Sequence, residues 1–216
     1  MRARNFSRRL LMVSSLLLLT ACGGLPTVNL SSTDRALLKT VSIKPEMTMP
    51  AEIMFQGRAQ AAGAAFGVLG ALATQGMANE PKEQIPRVMK NNNIDLPTIL
   101  RAEMQKAIQS PSLRVVAPGT RADAELSLQV TLYGYAQKNG LSNTVYPTIN
   151  VSATMKSPDG RTIWQQNDYI TALNGENNVG YEYEQFLEKP ERLRETMTKV
   201  SAMVSRLLAA NLNQAR

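Results

Sequence analysis

Leu126, Leu128, Val130 and Leu132 alternate with Ser127, Gln129, Thr131 and Tyr133. Residues two apart share a face of an extended chain, so residues 124–136 predict a strand with one buried face and one wet face. A half-buried strand obliges the chain to build a sheet and to cover one side of it. The segments that follow supply both. Val145, Ile149, Val151, Ala153 and Met155 alternate in a second strand, and Pro147 within it calls for an edge position or a late strand start. Ser157-Pro158-Asp159-Gly160 has the composition of a tight hairpin turn, and residues 161–173 form the third strand, with the only tryptophan, Trp164. After Pro190, the residues Leu193, Met197, Val200, Val204, Leu207 and Leu208 recur at helical spacing and give the covering helix one apolar stripe.

Upstream, residues 37–43 read as a first strand ended by Pro45. Residues 81–93 hold two prolines and the run Asn91-Asn92-Asn93, which predicts a loop. Asp95 offers an N-cap with Pro97 in the first turn, and Leu96, Ile99, Leu100, Met104, Ala107 and Ile108 mark the apolar face of a helix that stops near Ser110-Pro111. A short apolar strand follows at 113–116. The order predicts an α+β domain: a mainly antiparallel sheet, helices layered on one face, and the C-terminal helix packed on the sheet. The wet face of the 124–136 strand carries Tyr133 and Tyr135, ring types favoured at contact surfaces. The other reading is that residues 59–79 cover that face and the rings pack beneath them.

Residues 59–79 carry no charge. Ala59, Gly63, Gly67 and Ala71 stand four apart, so on a helix they line up as a smooth stripe that another backbone can approach. The stretch resembles the glycine-zipper segments of some envelope lipoproteins, which makes Gly63 and Gly67 candidate contact positions. Packing within the domain, a loose insertion, self-association and membrane contact all stay open. A spanning helix is disfavoured by Gln60, Thr74, Gln75 and Asn79.

At the N-terminus, Arg2, Arg4, Arg8 and Arg9 precede an apolar run over residues 10–19, too short to span a bilayer. The run ends in Leu19-Thr20-Ala21-Cys22, which resembles the bacterial lipobox. That resemblance implies cleavage between Ala21 and Cys22 and a diacylglyceryl group on the Cys22 sulfur. Gly23 stands where enterobacterial lipoproteins retained in the inner membrane carry aspartate. This implies an outer-membrane anchor with the domain facing the periplasm. The chain then divides into a signal peptide at 1–21, a lipidated N-terminus and flexible tether at 22–35, and one domain at 36–216.

Cleavage leaves 195 of 216 residues, enough for a sizeable core. Four of the 24 Lys and Arg leave with the signal, so 20 remain against 17 Asp and Glu, and the mature balance is +3. That is ordinary for a soluble domain and gives no ground for a nucleic-acid partner. Cys22 is the only cysteine and lipidation consumes it, so the fold rests on apolar burial without a disulfide. Histidine is absent, which removes the commonest general base and metal ligand. Neither Ser-x-x-Lys, Gly-x-Ser-x-Gly nor a P-loop occurs. Glu182 and Glu184, two apart, would point the same way on a strand and could form a carboxylate pair; the other reading is a solvated stretch before the last helix.

The helix Ile99-Leu100-Arg101-Ala102-Glu103-Met104-Gln105-Lys106-Ala107-Ile108, the strand lead-in Ala122-Asp123-Ala124-Glu125-Leu126 and the hairpin Asp159-Gly160-Arg161-Thr162-Ile163-Trp164 resemble a group of periplasmic lipoproteins. The group includes YajG-like lipoproteins, LpoB-type activators of peptidoglycan synthases and the curli-secretion subunit CsgG. The resemblance covers about residues 94–212. It implies a shared scaffold with diverse roles. The absence of catalytic motifs goes with an expectation of no cofactor. The sequence thus predicts a non-enzymatic, lipid-anchored adaptor or assembly component. Its partners would be membrane lipid, held through acylated Cys22, and other envelope proteins. The alternative is a homo-oligomeric secretion or pore subunit that uses residues 59–79.

Overall fold

The computed structural model describes residues 26–57, 80–139 and 142–214. Cys22, Gly63 and Gly67 lie outside them. In chain order the elements are α1 (Ser32–Leu37), β1 (Thr40–Ile43), β2 (Met54–Gln56), α2 (residues 80–91), α3 (Leu96–Ile108), β3 (Arg114–Val116), β4 (Ala124–Gln137), β5 (Thr144–Lys156), β6 (Thr162–Ile170), β7 (Tyr181–Glu182), α4 (Tyr183–Glu188) and α5 (Pro190–Asn213).

The strand that dictates the fold is present, with one departure inside it. The pairing of β4 with β5 shifts between Val130 and Leu132. Thr131 and Leu132 are both exposed, and beyond them Tyr133 is half-buried and residues 134–136 are buried. Such a bulge adds one residue to a strand and exchanges the faces beyond it. Leu126, Leu128 and Val130 face the helices as expected, but Leu132 turns outward and Tyr135 turns inward, fully buried. The expected wet-face position of Tyr133 and Tyr135 is therefore corrected: Tyr133 is partly buried and packs against the core. Two residues past the bulge, Gly134 has φ +154°, and a Cβ there would sit 1.8 Å from the Met54 carbonyl oxygen. Only glycine lets β2 come this close.

The strand order is β3-β1-β4-β5-β6. β4, β5 and β6 form the expected antiparallel meander. The remaining pairings correct "mainly antiparallel" to a mixed sheet: β1 runs parallel to both β3 and β4, and β2 runs parallel to β4. Thr48 bridges Gln129 between these two contacts. Residues 40–56 thus lie along β4 as one parallel strand, interrupted near Pro45 and Pro50, which have no N–H for a ladder. Asp123 pins its start, because its Oδ2 accepts from Lys39 N (3.0 Å), Thr40 N (2.8 Å) and Thr40 Oγ1 (2.9 Å).

β5 is central, not an edge, and it tolerates Pro147 for a local reason. On its second side β6 pairs as far as Ile149 and β7 begins again at Val145, so among the described residues no strand lies beside residue 147. The buried side chain of Asn177 fills the gap.

α2 replaces the predicted loop at 81–93. Pro81 falls in its first turn, where a missing N–H costs nothing. Ile85 and Met89, one turn apart, enter the core. The asparagine run is the helix stop: Asn93 is left-handed at φ 51°, Ile94 N donates to Met89 O at 2.8 Å, and Asn93 N donates to Lys90 O at 3.3 Å. In α3, Asp95 caps by accepting from Thr98 N at 3.0 Å, and Leu96, Leu100, Met104 and Ile108 form its buried stripe. α5 buries Leu193, Met197, Val200, Val204 and Leu208 against α3, β5 and β6. Leu207, expected on the same stripe, is exposed.

The predicted tether is shorter than 22–35. Val28 exchanges two backbone hydrogen bonds with Gln165 at 2.9 and 2.8 Å, antiparallel to β6. Leu30 is buried, Ser31 caps α1, and Asp34 pairs with Arg161 at 2.7 Å. Turn-type residues read as slack here serve as cap and clasp.

Candidate docking groove on the open face of the sheet

Among the described residues the helices cover one face of the sheet. The other face carries a groove of about 410 Å³ at the end where β6 finishes. Its walls and floor come from three strands. Leu132, Asn150 and Tyr169 form one cross-strand row, because Leu132 pairs with Asn150 and Asn150 with Tyr169. Thr148 stands in the next row, opposite Gly134. Met54 of β2 closes one side and Leu173, just past β6, the other. Leu132 is exposed to 36%, Tyr169 to 59% and Leu173 to 76%. These three are among the few large apolar side chains in the described residues that solvent reaches, and they share one rim.

Asn150 Oδ1 and Thr148 Oγ1, on the floor, are buried without a hydrogen-bond partner among the described residues. A buried acceptor left open costs about 1–3 kcal/mol, so these atoms invite a donor from water or a ligand. Lys138 is the one charged residue in the described lining, and its Nζ lies 4.1 Å from the centre of the Tyr146 ring. The groove is apolar at the rim, polar at the floor and weakly cationic at one end. That combination suits contact with a surface or a partner.

The tyrosines singled out from sequence take other roles. The Tyr135 ring packs on Phe186 at 4.6 Å between centroids, and its hydroxyl lies 2.7 Å from Thr196 Oγ1. Thr196 Oγ1 lies 3.0 Å from the carbonyls of Arg192 and Leu193, so it donates to the helix and accepts from Tyr135. Burial pushes the Tyr135 phenol well above its ordinary pKa. Tyr133 lines a second cleft of about 450 Å³ with Met49, Met89 and Leu96. Burial raises its pKa as well.

Glu182 and Glu184 do not form a pair on a strand, because β7 ends at Glu182 and α4 begins at Tyr183. Both are exposed. Asp168 is the carboxyl whose pKa is raised, through burial alone. Among the described residues no cluster of His, Cys, Asp or Glu could hold a metal, and no helix is long and apolar enough to cross a membrane.

Sequence reasoning missed the groove, because its rim joins positions on different strands and Leu132 was assigned to the core. One signal was available. A glycine inside a strand pattern marks a bulge or a close backbone approach, and Gly134 marks both.

No family model matches the sequence, and no curated protein matches it. Among solved structures, the chain is similar to protein XCC0632 of Xanthomonas campestris, described with the DUF330 family model. The TM-score is 0.42 at 10% identity, over 79% of this chain and 81% of that one. It is similar to a minor lipoprotein of Acinetobacter baumannii at TM-score 0.31 and 13% identity, over 81% of this chain and 95% of that one. It is also similar to lipoprotein GNA1162 of Neisseria meningitidis at TM-score 0.24 and 15% identity, over 61% of this chain and 81% of that one. None of the three is described as YajG-like, LpoB-type or CsgG. At these scores the likeness concerns only the outline of the chain path, and the functional reading rests on this chain's own residues.

Proposed function

We propose that this chain is a lipid-anchored bacterial envelope protein without catalytic activity, which serves as an adaptor or assembly component at the outer membrane and faces the periplasm. The spacing between Leu19-Thr20-Ala21-Cys22 and Val28 carries this reading. The lipobox resemblance implies an acylated terminus at Cys22, and six residues later the backbone is hydrogen-bonded to the sheet edge. Anchor and fold adjoin with little slack, as suits a domain that works at the bilayer surface. The resemblance of residues 94–212 to the YajG-like, LpoB-type and CsgG group supports the same class.

Metabolic labelling with palmitate and fractionation of the envelope test it. The native chain should take label and sediment with the outer membrane. Cys22→Ala should take none, because the thiol is the acyl acceptor. With a conventional cleavable signal in place of residues 1–21, the same variant should be soluble in the periplasm. Label on Cys22→Ala, or outer-membrane sedimentation of the soluble version, overturns the reading.

A homo-oligomeric role for residues 59–79 is favoured by one observation. Phe55 packs edge-on against Tyr183 at 5.6 Å between ring centres, and Tyr183 donates to Gln84 Oε1 at 3.0 Å. Lys82 also lies 3.9 Å from Glu52. The described residues on either side, 52–55 and 82–84, therefore adjoin, so residues 59–79 begin and end at one place of the fold. A concentration-dependent mass that is lost on changing both Gly63 and Gly67 to leucine supports this. An invariant monomer mass rules it out.

A further inference from the structure

We propose that the end of the open sheet face bearing Leu132, Tyr169 and Leu173 lies against the bilayer that holds Cys22; this rests on the acylation of Cys22 proposed above. The direction of the chain carries the inference. Val28 pairs with Gln165 antiparallel. In that sense of pairing the described residues before Val28, 26 and 27, head in the direction of the residues after Gln165, toward Tyr169 and Leu173. Tyr169 is four residues further along β6, about 13 Å at strand rise. Cys22 is six residues before Val28, a reach of about 20 Å when extended. A lead of that length, continued in the same direction, would bring acyl chains on Cys22 into the membrane beside the groove. The hairpin turn at Asp159 and Gly160 sits at the other end of β6 and points away from it.

The surface at that end has the chemistry of a membrane contact. Single exposed apolar residues are common and need no account. Here Leu173, Tyr169 and Leu132 are exposed together, on one rim, at the end toward which the anchor runs. Leucine gains by entering the boundary between headgroups and acyl chains, and the amphipathic ring of tyrosine settles at headgroup level. Lys138 stands at the same groove, where anionic headgroups attract it. The acidic residue of the adjoining loop, Glu176, faces Arg206 at 3.4 Å, which offsets its repulsion from such a surface.

The test uses the lipidated protein, purified from its membrane and reconstituted in vesicles of phosphatidylethanolamine and phosphatidylglycerol. Acylated Cys22 has no free thiol, so a single introduced cysteine can carry an environment-sensitive fluorophore. Leu173→Cys and Tyr169→Cys are compared with Asp159→Cys, and vesicles carry lipids with quenching nitroxides. Emission from positions 173 and 169 should shift to the blue on reconstitution and lose most of its intensity to the quencher, while position 159 stays unchanged. Equal, weak quenching at all three positions, with the protein floating with the vesicles, overturns the proposed orientation and leaves the anchor intact. A parent protein whose mass lacks the diacylglyceryl group, or whose Cys22 itself takes the label, shows instead that acylation has failed. Strong quenching at 159 alone reverses the orientation and also overturns the proposal.

Discussion

Asn177 Nδ2 donates to the carbonyl oxygen of Pro147 at 2.8 Å, and also to that of Thr171 at 2.9 Å, from a fully buried position. One side chain replaces the missing strand beside β5, and so makes a proline compatible with the middle of the sheet. Asn177→Leu should leave both carbonyls buried without a donor. An unmet buried group costs about 1–3 kcal/mol, so the loss should be about 2–4 kcal/mol. Urea unfolding checks it, and an unchanged midpoint would mean that water replaces the amide.

At Gly134 any side chain would meet backbone rather than a yielding side chain, since its Cβ would overlap the Met54 carbonyl. Gly134→Ala should detach β2 from β4 rather than simply lower stability. Amide exchange at residues 54–56 should rise sharply, while the β4–β5–β6 meander stays protected. Equal exchange across the sheet would place the damage in the global fold.

The hydrogen bond between Tyr135 and Thr196 joins β4 to α5 inside the core. Tyr135→Phe removes one hydroxyl and leaves Thr196 still donating to its own helix, so the cost should be about 1 kcal/mol. Thr196→Val strands the Tyr135 hydroxyl in an apolar site and should cost more, about 1–3 kcal/mol. Thermal unfolding of the pair should show this order. The reverse order would mean that Thr196, not Tyr135, is the tolerant partner.

Acid should weaken the docking of the N-terminal segment. The carboxyl of Asp123 is held below its ordinary pKa by the Thr40 hydroxyl and then by the Lys39 amide. Asp34 is held down chiefly by its hydrogen bond from Arg161. A carboxyl depressed in the folded state stabilises fully above its unfolded pKa, and that contribution fades as pH falls through the folded value. Stability should therefore decline from about pH 4 downward, where free carboxylates begin to protonate. Asp123→Asn should flatten that decline. A slope unchanged in the variant would assign acid lability to other groups.

The parts of the fold legible in the sequence were those set by neighbours in the chain. The alternation through Val130, the Asp95 cap, the hairpin turn at 157–160 and the stripe of α5 all express local geometry. The bulge was not legible from the pattern, because one extra residue leaves composition untouched while exchanging Leu132 with Tyr135. The parallel pairing of β1 and β2 with β4 joins segments some 80 residues apart, and no local signal fixes its sense. In α2, Pro81, Pro86 and three asparagines argued against a helix that Ile85 and Met89 stabilise through tertiary burial. The groove depends on all of these at once, and only Gly134 announced any of it.

The attachment of Val28 also governs how the domain bears force. A pull through an anchored N-terminus runs along the axis of β6 and loads the pair of Val28–Gln165 hydrogen bonds in shear. The next resistance is the Asp34–Arg161 clasp, and then the Asp123 grip on residues 39 and 40. If the first two yielded, the leash from Cys22 would lengthen from six residues to about seventeen, a gain of roughly 35 Å. The parallel strand along β4 would still be in place. With Cys22 acylated as proposed, the domain would then ride close to the bilayer at rest and release length under tension, without unfolding its core.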